Sequence, residues 1–451
     1  MTANEHAAAA WHFDTAQVHA GASPDPRTGA RATPIFQTTS YVYESSQAAS
    51  DIFTLQDLGS YSYTRTGNPT TSVAEQRIAE LEGGRAAVAF ASGQSATTFA
   101  LLNLLRSGDH LVSSSHVYGG TTGLFVRRFA EIGITTTFVD DIHDPEAWAA
   151  AITPRTRAVF AESIGNPLGS VLDIRAVADV AHAAGVPLVI DNTLASPYLV
   201  RPLEHGADIV VHSTTKFLAG HGAAIGGAVV DSGTFDFGAE PEKWPGFTEP
   251  EQPGETRRFW QDFGEEGIAY SLRLRANLLR DYGAAPSPFN SFLLILGIET
   301  LSLRMRQHVA NAETIAAHLL THPSVEAVHY AGLPTSPEAD RVAQYLPKGA
   351  GSIVSFEIRG GSAAGSAFVE SLDLFSHLAN IGDVRSLVIH PASTTHSQLS
   401  EAEQRRSGIS PSLIRLSIGI EDARDLITDL DAAFDRVNAI AASSSHHPQQ
   451  S

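Results

Sequence analysis

From Ser72 onward the chain alternates between helical stripes and short apolar runs. Val73, Ile78 and Leu81 recur at helical spacing, and the stripe stops at Gly83-Gly84, a helix-ending signal. Ala86–Phe90 is then a continuous apolar run of strand length. Ser92-Gly93-Gln94-Ser95 follows and leads into a helix over 96–105. The same alternation predicts strands over 110–113, 158–162, 186–190, 209–211 and 228–230, with a helix over 174–184. Strands that are apolar throughout are covered on both faces, so the fold is α/β with a mainly parallel sheet. Ligands of such sheets sit at the carboxyl ends of the strands.

The flanks read differently. Residues 1–70 carry Pro24, Pro26 and Pro34 with few periodic apolar positions, and are expected to form an extended, irregular arm. The sheet domain spans 71–285. Within it, residues 231–265 are rich in Gly, Pro, Trp and acidic side chains and read as an inserted loop. A long helix over 291–305 opens a smaller α+β domain, 286–440, with strands at Ile353–Ile358 and 415–418. The polar tail 441–451 is expected to be disordered. There is no internal repeat.

Composition narrows the function. The chain has 451 residues, enough for two compact domains. Thirty basic against 49 acidic residues give a net charge of −19, which argues against a nucleic-acid partner. With no cysteine, thiolate catalysis, disulfides and Cys-based metal sites are excluded, and no metal is expected. Residues 1–10 lack the pattern of a secretory signal, and no apolar stretch reaches membrane-spanning length. No membrane partner and a cytoplasmic location are therefore expected.

The candidate chemistry lies just after the strands. Asp191 closes the run Val189-Ile190-Asp191, where an anion would be desolvated unless a cation meets it. A protonated pyridine nitrogen is one such cation; a turn-capping carboxylate is the plain alternative. Lys216 follows His212-Ser213-Thr214-Thr215 on the next strand. Burial or a nearby cation lowers a lysine's pKa and makes it a nucleophile; an exposed helix start is the plain alternative. Together, on successive strands of one sheet, Asp191 and Lys216 can bracket a single ring. Gly93 and Gln94 open a helix where backbone N–H groups can cradle a phosphate, and the Ser213 and Thr215 hydroxyls can complete the cradle. Tyr118 can stack on a ring, and Asn166 can bond a phenolic oxygen. Tyr63 and Arg65 lie in the arm without local partners, which an arm crossing to a second subunit would explain. Arg415 sits inside an apolar strand, where either a substrate carboxylate or an internal salt bridge would pair it.

These residues, in this order, resemble the Cys/Met-metabolism family of fold-type I pyridoxal-phosphate (PLP) enzymes. The matching stretches are YSYTRTGNPT, ASGQSA, VYGGT, ESIGNP, VIDNT, DIVVHSTTKFLAGHG and LIRLSIGIED, from Tyr61 to Asp422. The resemblance implies a fold-type I transferase with PLP as cofactor. It implies that Lys216 carries the cofactor, Asp191 faces the pyridinium and Tyr118 stacks on the ring. Gly93, Gln94, Ser213 and Thr215 would hold the phosphate, with Tyr63 and Arg65 lent by a neighbouring subunit. Asn166 and Arg415 would hold the substrate carboxylate and a cofactor or substrate oxygen. Asn380, in Asn380-Ile381-Gly382-Asp383, stands where many relatives have a serine that helps seat that carboxylate.

Within the family, the insertion and the stretches SPFNSFLLILGIETLSLRM and SHLANIGDVRSLVIHPASTTHSQLS resemble the O-acetylhomoserine sulfhydrylase subgroup. Segment 250–258 departs from it and could alter access to the site. The implied substrates are O-acetyl-L-homoserine with sulfide or methanethiol, in methionine biosynthesis. The implied assembly is a homotetramer of site-sharing dimers. A γ-lyase of the same family, such as methionine or cystathionine γ-lyase, or an O-succinylhomoserine-using homologue shares these residues. A nucleotide-binding α/β protein without PLP would leave the Asp191/Lys216 pair unexplained.

Overall fold

A computed structural model describes residues 11–252, 254–394 and 409–445. The expectation for residues 1–10 and the far end of the stretch ending at Ser400 lie outside the described residues.

The seven strands of the larger sheet are β1 (Ala86–Phe90), β2 (His110–Ser114), β3 (Thr135–Val139), β4 (Thr156–Glu162), β5 (Leu188–Asp191), β6 (Ile209–His212) and β7 (Gly227–Asp231). Their order is β1-β7-β6-β5-β4-β2-β3. Strands β2 to β6 pair in parallel, while β7 runs antiparallel to both β6 and β1. Both faces are covered. Leu188, Ile190 and Val210 enter one apolar cluster, and Val189, Ile209 and Val211 enter the other. That explains why these strands read as unbroken apolar runs. Strand β3 escaped that reading because its sequence, TTTFV, is rich in hydroxyls and half-exposed at the sheet edge.

Local signals fix the helices that matter most. Helix α3 (Pro69–Glu82) is capped by Asn68, whose side chain accepts from the Thr70 and Thr71 N–H groups, and ends at left-handed Gly83 (φ 75°). Helix α4 runs over Gly93–Leu102, not 96–105, because Ser92 caps it by accepting from the Ser95 N–H. The arm is less irregular than expected: it forms α1 (Phe13–His19) and α2 (Ser46–Phe53).

Segment 231–265 is not a plain loop. It contains the short helices Pro245–Thr248 and Phe259–Phe263. Phe237, Trp244 and Phe247 are buried, with the Phe237 and Phe247 rings stacked at 3.9 Å between centroids. Its aromatic residues are irregularly spaced, so no periodicity betrayed the packing. The helix expected over 291–305 is two, Pro288–Ile298 and Leu301–Thr321. Between them, Arg304 takes up the Gly297 carbonyl at 2.6 Å and the Phe217 carbonyl at 2.7 Å. Gly297 is needed at this crossing, since a Cβ there would lie 2.4 Å from the Ala219 carbonyl oxygen.

The second sheet has the order β10-β11-β12-β9-β8, from β8 (Val325–His329), β9 (Ile353–Ile358), β10 (Ser376–His377), β11 (Leu387–Ile389) and β12 (Leu413–Ser417). The expected strand over 415–418 thus begins earlier. One apolar cluster runs from the larger sheet through Leu301–Thr321 to β9 and β12. The last helix, Ala423–Ser445, continues into the segment expected to be disordered from residue 441. Among the described residues, no helix is long and apolar enough to cross a membrane.

Candidate active site

Polar side chains gather at the carboxyl ends of β4, β5 and β6, around a cavity of about 340 Å³. Its walls include Gly93, Gln94, Tyr118, Asn166, Asp191, Ser213, Thr215, Lys216, Asn380 and Arg415. Residues far apart in sequence therefore meet because the strand ends and β12 converge on one space.

Lys216 leaves β6 through a tight turn, its N–H donating to the Ser213 carbonyl at 3.2 Å. Buried Phe217 anchors that turn beneath the sheet end. The Lys216 Nζ donates to Asn380 Oδ1 at 2.5 Å. Burial, and then the charge of Arg415, bring the Lys216 pKa down to about 8. A helix-starting surface lysine would show neither effect.

Asp191 ends β5 on the same face as Val189. Its Oδ1 accepts from the Thr193 N–H at 2.9 Å. Burial pushes its pKa up, against the Thr193 hydrogen bonds and the charge of His212. A cation placed in the cavity would reverse that shift.

Gly93 makes the cradle possible. A Cβ there would lie 2.5 Å from Ser213 Cβ and 2.7 Å from its Cα, so only glycine lets the start of α4 close onto the end of β6. Thr193 Oγ1, accepting from the Ser213 N–H at 2.8 Å, fixes the other side. Thr215 Oγ1 bonds the Gly226 carbonyl at 3.2 Å.

Tyr118 stands at the mouth with 54% of its surface exposed. Its ring lies against Gly120, where a Cβ would be 2.3 Å from Cε1. Arg415 is buried in β12, and donates to Asn166 Oδ1 at 3.2 Å and to the Asn380 carbonyl at 3.4 Å. The internal salt bridge left open by the sequence is not formed among the described residues: burial lowers the Arg415 pKa to about 10, with Tyr118 opposing the fall. A guanidinium so placed is open to a carboxylate ligand.

Tyr63 and Arg65 stand apart. Neither lines the cavity of its own chain. The Arg65 guanidinium lies over the Tyr63 ring at 5.1 Å, and Tyr63 is 42% exposed.

Among the wall residues that escaped sequence reasoning, Glu162 and Thr193 hold others in place. Glu162 is buried, is the register partner of Asp191, and accepts from the Tyr118 N–H at 2.6 Å. Burial and then Asp191 raise its pKa well above the usual carboxylate range. Its signal was present, since it ends a buried strand as Asp191 does. Thr193 carried no signal of its own.

The donor set fits PLP: an amine of lowered pKa for its aldehyde, a buried carboxylate for its ring nitrogen, and a glycine cradle at a helix start for its phosphate. No group of described residues could hold a metal ion.

Comparisons with known proteins agree. Residues 14–435 match the family described as Cys/Met metabolism PLP-dependent enzyme. The chain is 49% identical over 431 residues to the O-acetyl-L-homoserine sulfhydrylase of Leptospira meyeri, covering 94% of this chain and 97% of that one. It is 48% identical to the protein of the same name from Corynebacterium glutamicum, with the same coverage of both chains. It is 47% identical to the homocysteine synthase of Schizosaccharomyces pombe, covering 94% of this chain and 98% of that one. Among solved structures, one described as an O-acetylhomoserine (thiol)-lyase from Campylobacter jejuni superposes with a TM-score of 0.90 at 36% identity. It covers 94% of this chain and 100% of that one, and contains N'-pyridoxyl-lysine-5'-monophosphate. With the fold, the cavity and these relatives in agreement, the chain belongs to the Cys/Met-metabolism family of PLP-dependent enzymes.

Proposed function

We propose that this enzyme converts O-acetyl-L-homoserine and sulfide to L-homocysteine and acetate, with methanethiol giving L-methionine instead. The observation that carries the reading is the near-full-length similarity, at 47–49% identity, to relatives named for this chemistry. The cavity supports it residue by residue.

When bound, PLP supplies an electron sink conjugated to the substrate α-carbon. Lys216 would anchor the cofactor; once freed, its amine would take the α-proton, hand it on, and as a neutral base again take a β-proton, both being returned to the substrate carbons as the thiol adds. One flexible chain reaches both carbons, which a fixed carboxylate could not. Asn380 Oδ1 accepts from Nζ and keeps that amine at the cavity edge. Asp191 holds the ring nitrogen protonated. Gly93, Gln94, Ser213 and Thr215 would seat the phosphate, and Tyr118 at the cavity mouth would hold the ring and assist proton transfer. Arg415 grips the substrate carboxylate, with Asn166 and Asn380 beside it. Acetate departs from the γ-carbon and the thiol sulfur takes its place.

Incubation of the holoenzyme with O-acetyl-L-homoserine, with and without sulfide, tests the reading. Homocysteine should form in step with acetate release, and only with sulfide. Equal release of 2-oxobutyrate in both arms would mark a γ-lyase instead. O-Succinyl-L-homoserine should be the poorer ester.

The arm implies a shared site. We propose that Tyr63 and Arg65 reach the phosphate seat of a second copy, in a tetramer built from two such dimers. Arg65→Ala should weaken PLP retention, read as faster loss of cofactor on dialysis. Mixed with Lys216→Ala protein, it should regain activity, because one hybrid site then has both residues intact. No recovery after proven subunit exchange would rule the shared site out.

A further inference from the structure

Four arginines are buried among the described residues: Arg77, Arg273, Arg304 and Arg415. Burying a guanidinium is costly unless its N–H groups are met. Arg77 meets Glu299 and the Ala20 and Val18 carbonyls. Arg304 uses all three nitrogens, on Thr300 Oγ1 and on the Phe217, Leu218 and Gly297 carbonyls. Arg415 faces the active cavity.

Arg273 differs. Its Nε donates to the Gly246 carbonyl at 2.8 Å, and its Nη1 to the Asn103 carbonyl at 3.0 Å and side-chain oxygen at 2.6 Å. Its Nη2 has no hydrogen-bond partner among the described residues. Arg273 instead lines a second cavity, of about 170 Å³, formed by the insertion and the end of α4.

Arg106 lines the same cavity, and its side chain bonds nothing among the described residues. A Cβ built on Gly246 would lie 2.8 Å from Arg106 Nη2 and 3.2 Å from Arg273 Nη2. Two guanidinium ends therefore converge on one point. The remaining cations of the wall are engaged, Arg157 with Asp109 at 3.6 Å and Lys243 with the Ala184 carbonyl at 2.6 Å. The wall also carries two carboxylates, Glu242 and Asp109, the latter engaged by Arg157 and by the Arg106 backbone N–H at 2.7 Å. Neither forms an ion pair with the exposed Arg106 or the buried Arg273 among the described residues, so the convergence of like charge favours an anion. Burial brings the Arg273 pKa down to about 10, with Arg106 adding to the fall and Glu251 opposing it.

We propose that the cavity between Arg106, Arg273 and Gly246 binds a small oxyanion of the sulfate, phosphate or carboxylate type. Paired guanidinium groups match the geometry of such anions. Gly246, without a side chain, leaves their meeting point free. Through Asn103 the site grips the end of α4, whose other end is the Gly93 cradle.

The test uses holoenzyme, whose phosphate seat is filled. Thermal shift and calorimetric titration are run with sulfate, phosphate and acetate, against chloride at matched ionic strength. At least one oxyanion should give a saturable response that chloride does not. Arg106→Gln should raise its apparent Kd about ten-fold or more, the worth of one charge-assisted hydrogen bond. Gly246→Ala, which puts a methyl group at the convergence point, should abolish the response. Neither substitution touches the active cavity, so turnover should stay within about two-fold of wild type. Chloride matching every oxyanion overturns the site. So does unchanged affinity in either folded variant, which would place the anion elsewhere, such as at Arg415.

Discussion

Lys216→Ala is expected to leave no measurable turnover and no visible absorbance from bound cofactor. The side chain removed is the only lysine of the cavity wall among the described residues. Two features make it more than a tether. Burial and the Arg415 charge lower its pKa to about 8, so roughly a tenth of it is neutral amine at pH 7, far more than for a free lysine. Its hydrogen bond to Asn380 Oδ1 aims it into the cavity. Only the neutral amine captures an aldehyde, so cofactor uptake by wild-type apoprotein should rise with pH and level off above about 8. Lys216→Ala should keep its circular dichroism spectrum, since the backbone bonds of the turn survive. Residual turnover at wild-type rates would reject the role given to this residue.

Asp191→Asn should fold and bind PLP but lose kcat on the order of 10²–10³-fold. The amide oxygen can still accept from the Thr193 N–H, so the end of β5 keeps its shape. What disappears is the negative charge. Breaking a buried ion pair by neutralising one partner costs about 3–5 kcal/mol, and about 1.4 kcal/mol is ten-fold in rate. The pH titration of cofactor absorbance should move as well, because the ring nitrogen loses the anion that favours its protonated form. A kcat within about two-fold of wild type, with an unmoved titration, would place that proton elsewhere.

Much of the sheet was legible because of a physical coincidence of pattern and burial. Strands β1, β5 and β6, and β4 from residue 158 on, are covered on both faces, so they read as apolar runs, and β4, β5 and β6 end visibly at Glu162, Asp191 and His212. A helix end was legible where its stop signal is local, as at Gly83, whereas the start at Asn68 lies ahead of the stripe read from Ser72. The errors have one cause in common. Strand β3 is half-exposed, the 231–265 segment packs by scattered aromatic rings, and the break after Ile298 depends on Arg304 reaching carbonyls across the chain. None of these leaves a periodic trace.

The site divides in the same way. Residue types after the strands, and their order, were enough to single out Lys216, Asp191 and the Gly93 turn, because each sits at the mouth of a buried strand. Sequence alone could not say that Arg415, from the other sheet, meets Asn166 and Asn380 at the same cavity. Nor could it tell a substrate-seeking arginine from one in a salt bridge, nor reveal that Glu162 lies in register with Asp191. Those are contacts between residues far apart along the chain, set by the packing of one sheet on another. The sequence by itself determined where buried strands end and which polar residues stand there as candidates, because burial writes itself into local pattern. The tertiary structure alone decided which of them face each other.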